Sequence, residues 1–189
     1  MEEKRLFDIL KLYVAKYPNQ EVALAKKESG NWRKFSIQEY VETTNNVSYA
    51  LIKLGIKKDD KVGIICSNRP EWNMLDMAIM QVGAISVPIY PTISKEDYDY
   101  IINDCGVKLV VLEGQAVLQK IESVKANTPS LTAIYTIGIK SEHPTFEQLV
   151  EIGKNNPDAT ANGIGKAMKG GNALRSLRQQ IYRARQLYQ

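Results

Sequence analysis

The sequence predicts an α/β fold: a parallel sheet covered by helices, preceded by a helix and a β-hairpin and followed by a basic helical tail. Three observations carry that reading. Short apolar runs alternate with segments of helical period from Val62 to about Ile152. The runs, of which Lys61-Val62-Gly63-Ile64-Ile65-Cys66 is the clearest, alternate too little for half-exposed strands and read as buried ones. Glycine, proline or a capping hydroxyl residue punctuates the changes between them.

The elements follow in order. Residues 4–17 place Leu6, Ile9, Leu10, Tyr13 and Val14 at helical spacing, and Pro18 ends the run. From Glu21 to Phe35 the chain alternates around Ser29-Gly30-Asn31, the pattern of a hairpin. Ser36-Ile37-Gln38-Glu39 has the form of a capping box, in which the serine accepts from the amide three residues on and Glu39 reaches back. A helix follows with Tyr40, Val47, Leu51 and Leu54 on one broad face and Gly55 as its stop.

After the Lys61–Cys66 strand, Ser67-Asn68-Arg69-Pro70-Glu71 turns into a helix. Asn68 can cap it, Pro70 sits where a missing N–H costs nothing, and Glu71 suits the positive end. This helix runs to about Val82 and stops at Gly83. Ala84–Ile89 is a second buried strand, broken by Pro88 and Pro91. Ser94 caps a helix through about Asp104, Lys108–Leu112 is a strand, and Gln115–Ala126 is a helix. Leu131–Ile137 is the last strand, and Thr145-Phe146-Glu147-Gln148 opens a short helix with another capping-box pattern. Parallel strands need crossovers and helices supply them, so the order implies a Rossmann-like unit with right-handed connections.

The composition supports a buried core and excludes several classes. The chain of 189 residues is 44% hydrophobic and 24% charged, which lies in the globular range. No apolar run approaches the roughly 18–20 residues of a membrane span, and the mixed charge of Met1–Arg5 does not read as a secretory signal. Cys66 and Cys105 form no CxxC pair, so a disulfide framework or zinc knuckle is not expected and a cytoplasmic setting fits. The net charge of +4 hides a split. Residues 159–189 hold six bases and no acid, which leaves 19 of the 25 bases for residues 1–158 against all 21 acids. A boundary is expected near Pro157-Asp158, with 1–158 as the folded unit and 159–189 as a basic tail.

Catalytic equipment is sparse. His143, the single histidine, precedes a proline in a loop and reads as a surface residue rather than a general base. Cys66 and Cys105 end a strand and a helix, where small packed thiols are the rule. Asp97, Asp99 and Asp104 do not share one helix face and read as solvated. Tyr98 and Tyr100 point different ways on one helix, which favours packing over stacking on a base. Gly163-Ile164-Gly165-Lys166-Ala167 lacks both the strand and the hydroxyl residue that a P-loop requires. GxGxxG follows no expected strand, so the fold alone implies no dinucleotide site. No catalytic, cofactor-binding or metal residue is assigned from the pattern.

Two segments add a likeness. Lys61-Val-Gly-Ile-Ile-Cys-Ser-Asn-Arg-Pro-Glu-Trp72 and Gln81-Val-Gly-Ala-Ile-Ser-Val-Pro-Ile-Tyr-Pro-Thr92 resemble the opening of AMP-forming acyl-CoA synthetases, of the long-chain fatty acid–CoA ligase type. The Ser36–Gly55 helix and Tyr100–Leu112 agree, so the resemblance covers about residues 5–155. It implies a family that joins a carboxylate to ATP, giving acyl-AMP and pyrophosphate, and then passes the acyl group to the thiol of CoA with magnesium assisting. It makes Asn68, Pro70, Glu71 and Trp72 fold-signature residues. Tyr90 and Thr92 become candidate substrate contacts, because α/β folds place ligands at strand C-terminal ends.

The departures bear on activity. The family's phosphate loop, resembling Y-T-S-G-T-T-G-x-P-K-G, is due after Thr145–Asn155 and is absent. The aromatic-Gly-x-Thr-Glu motif, the ribose-binding aspartate, the hinge and the C-terminal lysine are absent too. ATP, Mg2+ and CoA therefore belong to an intact family enzyme, and this chain alone is expected to be inactive. Its expected partner is the downstream part of a synthetase. In the tail, Leu174, Leu177, Ile181, Ala184 and Tyr188 fall near helical spacing among four arginines. Such a helix can lie on an anionic membrane, bind nucleic acid or dock on a protein, which would make the chain a peripheral binding module. Its abrupt onset reads first as an altered end, from a frameshift or a fusion.

Overall fold

The structure, a computed structural model, describes residues 5–157. The proposed tail helix and the Gly163–Ala167 look-alike lie outside the described residues. Helix α1 (Asp8–Lys16) leads to strands β1 (Leu24–Glu28) and β2 (Asn31–Phe35), then helix α2 (Ile37–Lys53). Strand β3 (Lys61–Ile65), helix α3 (Pro70–Gln81), strand β4 (Ile85–Pro88) and helix α4 (Lys95–Cys105) follow. The chain continues through strand β5 (Val107–Glu113), helix α5 (Gln115–Val124), strand β6 (Ala133–Ile137) and helix α6 (Phe146–Lys154).

The predicted architecture is present. Strands β3 to β6 form one parallel sheet in the order β4-β3-β5-β6. The first crossover runs from β3 to one side and the next returns past β3 to β5, so the order reverses between β3 and β5. Side chains alternate across the sheet and feed two cores. Leu109 and Val111 face a core built with α2, α3 and α6, and Val110 and Leu112 face one built with α4 and α5. The β1–β2 hairpin is a separate antiparallel pair, with Glu28 opposite Asn31. Its two-residue turn needs positive φ twice, and Ser29 (φ 48°) and Gly30 (φ 85°) supply it.

The details correct several expectations. The Ser36 hydroxyl accepts from the Glu39 amide, but Glu39 does not close a capping box. Its carboxylate pairs with Arg33 at 3.0 Å, because a charged partner outcompetes a backbone amide. Asn68 is exposed and does not cap α3; the cap position is Arg69, one residue before Pro70. Leu54 is exposed, since it follows the last turn of α2. Leu6, Ile9 and Tyr13 are exposed as well, and α1 buries Leu10 alone. β4 is only half-buried because it is an edge strand, which is also why Pro88 is tolerated there. The expected α5 helix ends at Val124 and continues as a 3-10 turn, Lys125–Asn127. The expected box of Thr145 with Gln148 forms, and Ser94, expected as a simple cap, closes a full box with Asp97.

Candidate functional site

In open α/β sheets the place for a ligand is the crevice at the strand C-termini where the order reverses. Here that crevice lies between the ends of β3 and β5, and side chains of the protein itself occupy it. Glu113, the last residue of β5, accepts from the Ser67 amide at 3.0 Å and from the Ser67 hydroxyl at 2.6 Å. Its other oxygen accepts from Arg69 Nη1 at 2.6 Å. The guanidinium then turns to Glu71, with Nε donating at 2.9 Å and Nη2 at 3.1 Å. Lys26 of β1 closes the series, 2.5 Å from Glu71 and 2.7 Å from Glu28.

The network ties three distant parts of the chain together at the corner between β3 and α3. Glu71 is only 4% exposed. Burial opposes its ionisation, but the hydrogen bonds from Arg69 and Lys26 outweigh burial and hold its carboxyl at about 2. Glu113 is lowered for the same reason, with Ser67 and Arg69 overcoming burial. Next to them, burial first and the charge of Glu113 second push the Cys66 thiol up to about 12. A thiol held so far above neutrality is not a nucleophile, as its place at the end of a buried strand suggested.

Pro70 is buried in the first turn of α3, and Trp72 packs partly buried against the α2–α3–α6 core. Tyr90 is 68% exposed; the network does not use it, and its backbone carbonyl accepts from the Tyr98 hydroxyl at 3.0 Å. Thr92 is exposed on the same exit from β4. β4 lies on the far side of β3 from β5, so the structure does not bring these two residues into the β3–β5 crevice. His143 pairs with Glu122 of α5 at 3.0 Å. Asp97 belongs to the α4 capping box and Asp99 accepts from Asn103, so both have local structural uses. Tyr98 is buried and Tyr100 exposed, as their spacing implied.

Sequence reasoning found Glu71 but missed Lys26, Ser67, Arg69 and Glu113. The one available signal was a carboxylate ending an otherwise apolar strand, at Glu113-Gly114. A groove of about 390 Å³ lies beyond the network, between the hairpin, α2 and α6, and shares Lys26 and Glu71 with it. Among the described residues no group of three or more His, Cys, Asp or Glu side chains is arranged to hold a metal ion, and no helix is long and apolar enough to cross a membrane.

Residues 10–169 match the AMP-binding enzyme family. The chain is 34% identical over 153 residues to a long-chain-fatty-acid–CoA ligase, ACSBG2, of Xenopus laevis, covering 78% of this chain and 21% of that one. It is 31% identical over 157 residues to ACSBG1 of Rattus norvegicus, covering 79% and 21%. Among solved structures it superposes on an anthranilate CoA ligase in complex with anthranoyl-AMP with a TM-score of 0.68 and 25% identity, covering 77% of this chain and 27% of that one. A long-chain-fatty-acid–CoA ligase of Archaeoglobus fulgidus shares the fold with a TM-score of 0.67 at 20% identity, covering 78% and 29%. This chain spans about a fifth of the length of the curated relatives it matches. With its parallel sheet, hairpin and ordered signature segments, the chain belongs to the AMP-binding enzyme family and corresponds to an N-terminal portion of it.

Proposed function

We propose that this chain is the N-terminal scaffold of an AMP-forming long-chain fatty acid–CoA ligase and forms no acyl-adenylate by itself. The observation that carries the reading is a family match over residues 10–169 in a sequence without the family's phosphate loop. The family reaction joins a fatty acid to ATP and passes the acyl group to CoA. Its largest electrostatic demand is for donors around the transferring phosphate. The described residues do not fit such a group. Arg69 is engaged by Glu71 and Glu113, and Lys26 by Glu28 and Glu71. No step through ATP, Mg2+ or CoA is therefore assigned to this chain.

In this reading Asn68, Pro70, Glu71 and Trp72 build the corner between β3 and α3. Tyr90 and Thr92 are the residues offered to a substrate, since they leave the C-terminal end of an edge strand with exposed side chains. The partner is the downstream part of a synthetase, which brings the phosphate loop and the adenylating lysine, in a cytoplasmic or membrane-peripheral setting. The test is fatty-acid-dependent exchange of pyrophosphate into ATP. The chain alone should give none, and the chain mixed with a downstream portion of a relative should give some. Exchange by the chain alone overturns its inactivity. No exchange from the mixture counts against the scaffold role. Vesicle or nucleic-acid binding that collapses with salt and is abolished by deleting residues 159–189 would then favour the basic-tail binding module.

A further inference from the structure

The two faces of the β1–β2 hairpin have different chemistry. The inner face carries Leu24, Lys26, Arg33 and Phe35. Phe35 is buried, Leu24 packs against the same core, and both cations lie over the Phe35 ring. They are also ion-paired, Lys26 with Glu28 and Glu71 and Arg33 with Glu39. The outer face carries Ala25, Lys27, Trp32 and Lys34, all exposed. Trp32 is 65% exposed, directly opposite Lys27 and two residues from Lys34. No carboxylate stands on that face, and neither lysine joins an ion pair among the described residues.

We propose that this outer face docks on an anionic lipid surface, with Trp32 in the headgroup layer and Lys27 and Lys34 on the lipid charges. An indole prefers the membrane–water boundary, and lysine stems reach across apolar surface to place their ammonium groups in the polar layer. Two such cations contribute about 30-fold in partition onto an anionic membrane. A nucleic acid is a poorer fit, because single strands are gripped by a series of rings along a cationic track and this face has one ring. The assignment uses the hairpin alone and stands or falls apart from the ligase reading.

The chain has two tryptophans, and Trp72 packs partly buried against the core. With Trp72→Phe in the full-length chain, Trp32 is the sole tryptophan, and excitation at the red edge beyond tyrosine absorption reads it alone. Mixing with vesicles of phosphatidylglycerol and phosphatidylcholine should shift its emission to the blue, and pure phosphatidylcholine should not. Lys27→Glu with Lys34→Glu should remove the shift and lower binding about 30-fold or more. If Trp72→Phe does not fold, quenching of the unsubstituted chain by brominated lipid, compared with Trp32→Phe, gives the same reading. Unshifted Trp32 emission on bound vesicles overturns the proposal. So does binding that survives the hairpin changes but is lost when Arg175, Arg178, Arg183 and Arg185 become Gln. Absence of vesicle binding, or a blue shift with single-stranded nucleic acid instead, overturns it too.

Discussion

The two faces of the parallel sheet are held differently. On one, α4 and α5 lay Tyr98, Ile102, Leu118 and Ile121 against Val110, Leu112 and Ile134. On the other, α2, α3 and α6 also bring aliphatic side chains, but Thr44, Ser48, Glu71 and Gln81 are buried with them. The Ser48 hydroxyl donates to Gln81 Oε1 at 2.5 Å, and the Gln81 amide donates to Asn45 at 3.2 Å. The first face depends mainly on apolar burial, which is non-directional and tolerates repacking. Its directional bonds are Lys120 Nζ donating to the Ile93 carbonyl at 2.7 Å and the Tyr98 hydroxyl donating to that of Tyr90. The second adds bonds of fixed direction and a close helix crossing. Apolar burial stabilises both faces; the directional contacts single out one arrangement of α2, α3 and α6.

Gly153 gives that idea its hardest test. A Cβ on this residue of α6 would lie 1.7 Å from the Asn46 carbonyl oxygen of α2. No rotamer relieves a clash with backbone, so the two helices would have to separate. Gly153→Ala should cost about 4 kcal/mol, above the usual range for overpacking, and denaturant unfolding would measure it. A cost below about 1 kcal/mol would mean that the α2–α6 crossing is as adaptable as the α4–α5 face.

Acid should act on the same side of the molecule. The Glu71 carboxyl sits at about 2 against an ordinary 4.5. A lowered folded value means that the stabilisation is complete above the unfolded value and is lost as pH falls from about 4.5 towards about 2. The loss is on the order of 3 kcal/mol, and Glu113 titrates in the same direction. Unfolding measured between neutral pH and about pH 2 should show it. Glu71→Gln should flatten that dependence while costing about 3 kcal/mol at neutral pH, because Arg69 and Lys26 lose a buried counter-charge. An unchanged acid profile in that variant would move the effect to other carboxylates.

The fold was legible in the sequence because it is written in local periodicity. The β3 and β5 runs, the Ser94 cap, the Thr145 box and the Ser29-Gly30 turn each state their conformation within a few residues. The switch-point network was not legible. It joins Lys26, Arg69 and Glu113, which are more than forty residues apart in each step, as the 45-residue and 44-residue separations of its ion pairs show. Glu71 read as a helix-end charge because its position predicts that role by itself, and only tertiary packing buries it. Gly153 gave no sign either. A glycine inside a helix reads as a mere loss of propensity until the neighbouring backbone is known.

Tyr98→Phe is the mildest change and bears on the apolar face. The Tyr98 ring is buried among Ile102, Leu118 and Val110, and burial pushes its phenol up to about 12, so it remains a donor at ordinary pH. Its hydroxyl donates to the Tyr90 carbonyl at 3.0 Å. Removing it keeps the ring and its packing and gives up one hydrogen bond, worth about 1 kcal/mol. Tyr90 is exposed, so water can replace the lost donor and the carbonyl is not stranded. The loss should therefore be smaller than that of Glu71→Gln, with faster amide exchange confined to the Tyr90–Thr92 corner. A cost above about 2 kcal/mol would show that this face, too, relies on a directional bond, and that the contrast between the two faces is one of degree.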